Sequence, residues 1–259
     1  MSRQRVVPDR SRGAPAEARM GTEPGSGGIE QVGHTPADGP GRRTVLTALA
    51  VAGILGPILF TVAFVAQELW RRGEYSPMAE RVSALEAGPG GWVQQANFVV
   101  FGLLTIAFAV GLHWGMRPTR AGVVGPALLG WSGVGLVLAA VFPLREDAAG
   151  VTYDPTGLHE VSGAILFLSI GVGFMVVSRR MARDPSWRGL ATYALATGIV
   201  WLGMLVAFGV LVMPDDAPLH AWAGLAQRVA LAVWFLCTIL LARRLRRLTR
   251  APTPHADRP

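Results

Sequence analysis

The dipeptide His159-Glu160 is how a zinc-protease helix begins, where H-E-x-x-H sets two imidazoles one turn apart on a metal. Here Val161, Ser162 and Gly163 follow, and the second histidine is missing. A bis-histidine haem is served no better: His159 and His220 begin apolar runs on one side, whereas His113 ends a run on the other. Cys237 is the single cysteine, which rules out an internal disulfide, a cysteine-rich zinc site and a CxxC redox pair. All 24 residues of the Lys+Arg count are arginine, so there is no Schiff-base lysine and no phosphate-gripping P-loop lysine. Neither a metal nor a cofactor is expected. The chemistry left is acid–base and hydrogen-bonding chemistry. His159 would act as general acid or base, Glu68, Asp147 or Glu160 as the carboxylate orienting it, and Arg228 as an anion clamp.

These residues belong to an unusually apolar chain. Of 259 residues 51% are apolar and 16% charged, against about 25% charged in soluble domains. Mean hydropathy is +0.38. The apolar residues gather into six runs, Thr44–Ala66, Trp92–Trp114, Ala121–Phe142, Gly157–Ser178, Gly189–Met213 and His220–Ala242. Each has the roughly 20 residues that carry a helix across about 30 Å of hydrocarbon. Lipid offers unpaired backbone groups no partner, so these runs must be helices. The expected fold is an all-α integral membrane protein, a six-helix transmembrane bundle over residues 44–242. Residues 1–43 are rich in Gly, Pro, Ala, Ser and Arg and are expected to form a disordered tail. Residues 243–259 form a basic C-terminal tail.

Arginine placement sets the expected orientation. The two tails and the second and fourth connections hold 7, 6, 2 and 4 arginines; the first, third and fifth hold 3, 1 and 0, together with nine carboxylates. The positive-inside rule then puts both termini in the cytoplasm of a plasma-membrane protein and the three acidic connections outside. Arg42-Arg43 precedes a run long enough to span and is followed by five more, so it anchors a helix rather than marking an export signal. A pI near 11 is explained by this topology and by anionic inner-leaflet lipid. Nucleic acid is not an expected partner.

Polar groups inside the bilayer cost free energy unless paired, and nearly all of them fall in the outer half. Glu68 ends the first run. Gln94 and Asn97 open the second and share a helical face with Phe101 and Thr105. His159 opens the fourth, on a stripe with Ser162, Gly163, Leu166, Ser169 and Gly173; small residues mark helix contacts in lipid. His220, Gln227 and Arg228 open the sixth. Arg228 lies about 12 Å along its helix from the start, so it either snorkels to the surface or faces the bundle paired with Glu68 or Glu160. In the first connection Ser76 caps Pro77, and Met78, Val82 and Leu85 follow at i, i+4 and i+7. This pattern describes a short amphipathic helix with Glu80, Arg81 and Glu86 on its polar face, lying on the membrane surface or over the helix ends.

The strings Glu74-Tyr75-Ser76, Val82-Ser83-Ala84-Leu85, Phe142-Pro143 with Asp147 close behind, Gly157-Leu158-His159 and Gly224-Leu225-Ala226-Gln227-Arg228 occur in this order between the six runs. In this the chain resembles the membrane family catalogued as domain of unknown function 998, over roughly residues 51–245. The resemblance implies a six-helix fold and points to Tyr75, Ser83, Asp147, His159 and Arg228 as characteristic polar positions; it supplies no activity. Three functions stand open. The polar cluster of Arg228, Gln227, His159, Asn97, Gln94, Tyr75 and Ser83 fixes the bundle or binds a small ligand or partner. Alternatively the chain is an enzyme acting on a lipid or isoprenoid from the outer leaflet, or a small-solute transporter. The expected partners are the lipid bilayer and a lipid or small apolar ligand; no protein partner is indicated.

Overall fold

The computed structural model describes residues 40–116, 122–214 and 216–250. The tail expected to be disordered lies, up to residue 39, outside the described residues, as do residues 251–259. Six helices are long and apolar enough to cross a membrane: α1 Pro40–Trp70, α2 Gly91–Gly115, α3 Val124–Val141, α4 Leu158–Arg183, α5 Arg188–Leu211 and α6 Ala223–Arg250. Helix α6 runs on past Ala242 because its apolar stripe continues. Leu241, Ala242 and Leu245 are buried at helical spacing, and Leu248 packs on the core behind them.

Two connections carry structure of their own. The third holds a small antiparallel hairpin, β1 Arg145–Glu146 against β2 Thr152–Tyr153. The Asp147 carboxylate shapes its turn, accepting from the Ala149 and Val151 amides, each at 2.9 Å. The first connection forms no surface α-helix. One turn at Ser76–Glu80 is followed by a 3-10 segment, Val82–Glu86, all of whose residues are buried. A 3-10 segment has three residues per turn, so Ser83 and Glu86 eclipse one another and both point inward. Glu86, expected on the water-facing side, is 3% exposed.

Each helix packs on its neighbours in sequence, and α6 returns to α1 to close a ring. Short connections between successive helices make neighbours antiparallel. The backbones approach closely through glycine. A Cβ on Gly102 of α2 would meet the Gly133 carbonyl of α3 at 2.6 Å; one on Gly198 of α5 would meet the Gly171 carbonyl of α4 at 2.7 Å. The seam between α5 and α6 is the thin one. The buried residues of α5 end at Trp201, and none from Leu202 to Leu211 is buried. Inside the ring lies an aromatic cluster in which Phe60, Phe98, Phe101, Trp201, Trp234 and Phe235 contact one another with centroids 4.8–5.9 Å apart.

The end of the ring with the first, third and fifth connections is here called the crown, the other end the base. At the base, arginines cap helix ends whose carbonyls have no partner within the helix. Arg180 of α4, itself buried, donates to the His113 carbonyl at 3.0 Å, the Met116 carbonyl at 2.9 Å and the Gly122 carbonyl at 2.5 Å. Arg42 donates to the Trp114 carbonyl and Trp187 to the Gly115 carbonyl.

Candidate functional site

The crown is organised by Arg228. Its Nε and Nη2 both donate to one carboxylate oxygen of Glu68 on α1. Nη2 also donates to the Tyr75 hydroxyl at 2.7 Å, and Nη1 to the Glu80 carbonyl at 3.1 Å and the Gly224 carbonyl at 2.8 Å. The guanidinium lies over the rings of Phe64 and Tyr75, 5.9 and 5.8 Å from their centroids. The Tyr75 hydroxyl in turn faces the Glu80 and Arg81 carbonyls at 3.0 Å. Burial pushes the Tyr75 phenol up to about 12 against the pull of Arg228, so it remains a neutral hydroxyl at neutral pH. Next to Arg228, the Gln227 side-chain oxygen accepts from the Val82 amide at 2.6 Å, and the Leu225 amide donates to the Met78 carbonyl at 3.1 Å. Gly224 permits this close seating, because a Cβ there would collide with the Pro77 and Glu80 carbonyls. The first connection is thus strapped across the start of α6.

Under the strap lies a cavity of about 230 Å³. Its body is apolar, with Phe60, Phe98, Leu136, Leu166, Phe208 and Trp234 among its walls, and its polar lining comes from Arg81, Ser83, His159, Glu160 and Gln227. Arg81 and Glu160 form an ion pair at 3.0 Å on the half-exposed rim. A second recess of about 400 Å³, almost wholly apolar, lies between α5 and α6 and shares Phe167, Leu205, Phe208 and Gln227 with the first.

His159 stands in the first turn of α4. That turn is held by Asp154, whose carboxylate accepts from the Thr156 and Glu160 amides, each at 3.1 Å. Nδ1 of His159 lies 3.1 Å from the Phe142 carbonyl oxygen and 3.2 Å from Oε2 of Glu86. Neither oxygen of Glu86 has a well-aligned hydrogen-bond partner among the described residues. Burial pushes its carboxyl from 4.5 up to about 8, against the pull of the Leu144 backbone N–H. Glu86 also lines a third recess, open at the crown surface and walled by Gly88, Pro89 and Pro143–Glu146. Among the described residues, no group of three or more His, Cys, Asp or Glu could hold a metal ion.

The candidate residues therefore separate into four sets. Arg228, Glu68 and Tyr75 hold the strap. His159, Ser83, Gln227 and Glu160 line the cavity. Gln94 and Asn97 face α1 instead: Asn97 donates to the Phe60 carbonyl at 3.1 Å and to the Gln94 side-chain oxygen at 3.2 Å. Asp147 shapes the hairpin turn on the exposed crown.

A family model described as "Protein of unknown function (DUF998)" matches residues 54–244, which take in α2 to α5 whole, the crown-side parts of α1 and α6, and the crown itself. The chain belongs to that family. No curated protein and no solved structure matches it. In this DUF998 chain the residue that sequence reasoning missed is Glu86. Its one signal is a lone carboxylate between Leu85 and Ala87 ahead of a Gly-Pro-Gly-Gly turn; helical period 3.6 sends it outward, period 3.0 inward.

Two measurements follow from this geometry. Arg228→Leu strands the Glu68 carboxylate and should cost on the order of 3 kcal/mol. Glu68→Gln in the same chain should restore part of that loss, whereas Glu160→Gln should combine with Arg228→Leu additively within about 0.5 kcal/mol. Thermal unfolding of each cycle in detergent checks this; additivity with Glu68 would mean the pair carries no coupling. Glu86 supplies a pH test. A carboxyl whose folded pKa is raised makes the native state bind the extra proton, so stability falls as pH rises from about 4.5 to about 8 and levels off above. Glu86→Gln should gain stability relative to wild type between pH 5.5 and pH 8.5, and parallel curves would contradict the buried neutral carboxyl.

Proposed function

We propose that this multi-pass membrane protein resides in the plasma membrane with both termini cytoplasmic, and that its crown-end cavity binds a small apolar or amphipathic ligand drawn from the outer leaflet. The observation that carries this reading is the cavity itself, apolar in its body, polar beneath the strap, and sharing walls with the recess between α5 and α6. Ligand sites of this kind are mostly apolar with a few placed polar groups. The unburied half of α5 favours entry from the bilayer over entry from water. The strap supports a fixing role for the rest of the cluster, because Arg228 spends its donors on Glu68, Tyr75 and backbone carbonyls.

Mass spectrometry of gently solubilised protein should find a co-purified lipid or other small apolar molecule. Gly163 lines the cavity, and a Cβ there meets only Phe167, at 3.7 Å. Gly163→Phe should therefore fill the space, keep the fold and lose the bound species. A stable protein partner with no small molecule, or a bound molecule indifferent to Gly163→Phe, would contradict a ligand-binding cavity.

The arginine distribution supports the orientation, and single cysteines test it. Cysteines replacing Gly73, Asp154 and Asp216 should react with an impermeant maleimide on whole cells, while one at Arg183 stays silent; the native Cys237 is buried. The opposite pattern would invert the topology.

A further inference from the structure

Two polar atoms of the cavity wall have their chemistry set by what their neighbours can accept or give. The Phe142 carbonyl oxygen can only accept, so Nδ1 of His159, 3.1 Å away, carries the ring proton. Glu86 Oε2 lies 3.2 Å from the same nitrogen without an aligned hydrogen bond to it, so the Phe142 carbonyl is what sets the tautomer. Nε2 is left as a bare lone pair, with no donor reaching it among the described residues. The Gln227 side-chain oxygen is taken by the Val82 amide, so the other end of that side chain is an NH2 donor. The α4 and α6 walls thus offer one acceptor and one donor.

The wall offers no unpaired charge. Arg81 and Glu160 neutralise each other on the rim, and Arg228 lies outside the cavity, held by Glu68 and the strap. A carboxylate or phosphate head could only accept and would bring an uncompensated charge among apolar side chains; an ammonium could only donate, with the same penalty. A hydroxyl does both and is neutral. We propose that the ligand is a long-chain alcohol, its hydroxyl donating to Nε2 of His159 and accepting from the Gln227 amide, its chain lying in the apolar recess between α5 and α6. This inference rests on the ligand-binding reading above and names the head group.

Photo-crosslinking tests the two separately. Diazirine-tagged dodecan-1-ol, its methyl ether and dodecylamine are irradiated with the full chain in liposomes, and the labelled peptides are mapped. The alcohol should label cavity residues of α4 and α6 about fivefold more than the ether, the worth of one neutral hydrogen bond. Glu86→Leu combined with His159→Leu, which leaves no stranded carboxyl, should bring alcohol and ether to equal labelling of the same peptides. If that variant fails to fold, the wild-type comparison decides alone, because the ether lacks only the donated proton. Cavity labelling by ether or amine equal to that by alcohol overturns the hydroxyl head and leaves the cavity reading standing. Labelling by all three only outside the cavity overturns both.

Discussion

A guanidinium brought into an apolar bundle must have its donors met, and the crown of this protein is arranged around meeting those of Arg228. One carboxylate, one phenol and two carbonyls converge on it, and three of those groups belong to other parts of the chain: Glu68 to α1, Tyr75 and Glu80 to the first connection. Their convergence draws the connection down across α6, where Gly224 leaves room for it. Only then do Val82 and Ser83 roof the cavity and Glu86 arrive beside His159. The polar cluster and the apolar cavity are consequences of one electrostatic requirement.

The base solves a different problem with the same residue type. Helix α2 ends in carbonyls with no partner inside the helix, and Arg180 and Arg42 reach across to them. A planar guanidinium can bridge several carbonyls at once, which an ammonium does less well. Arginines on which the expected sidedness rests therefore also bind one helix to the next. Between the two ends the helices hold through close backbone approach, as where Gly102 faces Gly133.

The six spans were legible because length and apolarity suffice to specify a helix in lipid, and the depth of Arg228 left two readings, a snorkelling side chain or one paired inside the bundle. Which partner was not legible: Glu68 and Glu160 lie at similar depth, and the choice depends on the path of the first connection, where Arg81 takes Glu160. That path was misjudged for a definite reason. Met78, Val82 and Leu85 fit an α-helical period, but the segment follows a 3-10 period that buries Ser83 and Glu86 together. Gln94 and Asn97 were placed on one helical face of α2 and in the candidate cluster, but that face turns toward α1, a direction a single helix cannot encode. Asp147 was a turn former whose role is local. The positions to which the sequence resemblance points divide in the same way, Tyr75 and Arg228 in the strap, Ser83 and His159 in the cavity wall.

Helix α5 is packed along one half and unpacked along the other, and Trp201 marks the division, its indole N–H donating to the Phe167 carbonyl at 2.7 Å. The half beyond Trp201 is tied again at its end, where Val212 is buried and the Leu219 amide donates to the Leu211 carbonyl at 3.0 Å, so it is a span held at both ends and bare between them. Side pressure from the surrounding lipid would bow such a span toward α6 and its relaxation would let it back, with the arginine-capped base undisturbed. Passage of the proposed ligand through this seam would thereby depend on the mechanical state of the membrane, on its thickness and lateral tension, more than on any aqueous concentration.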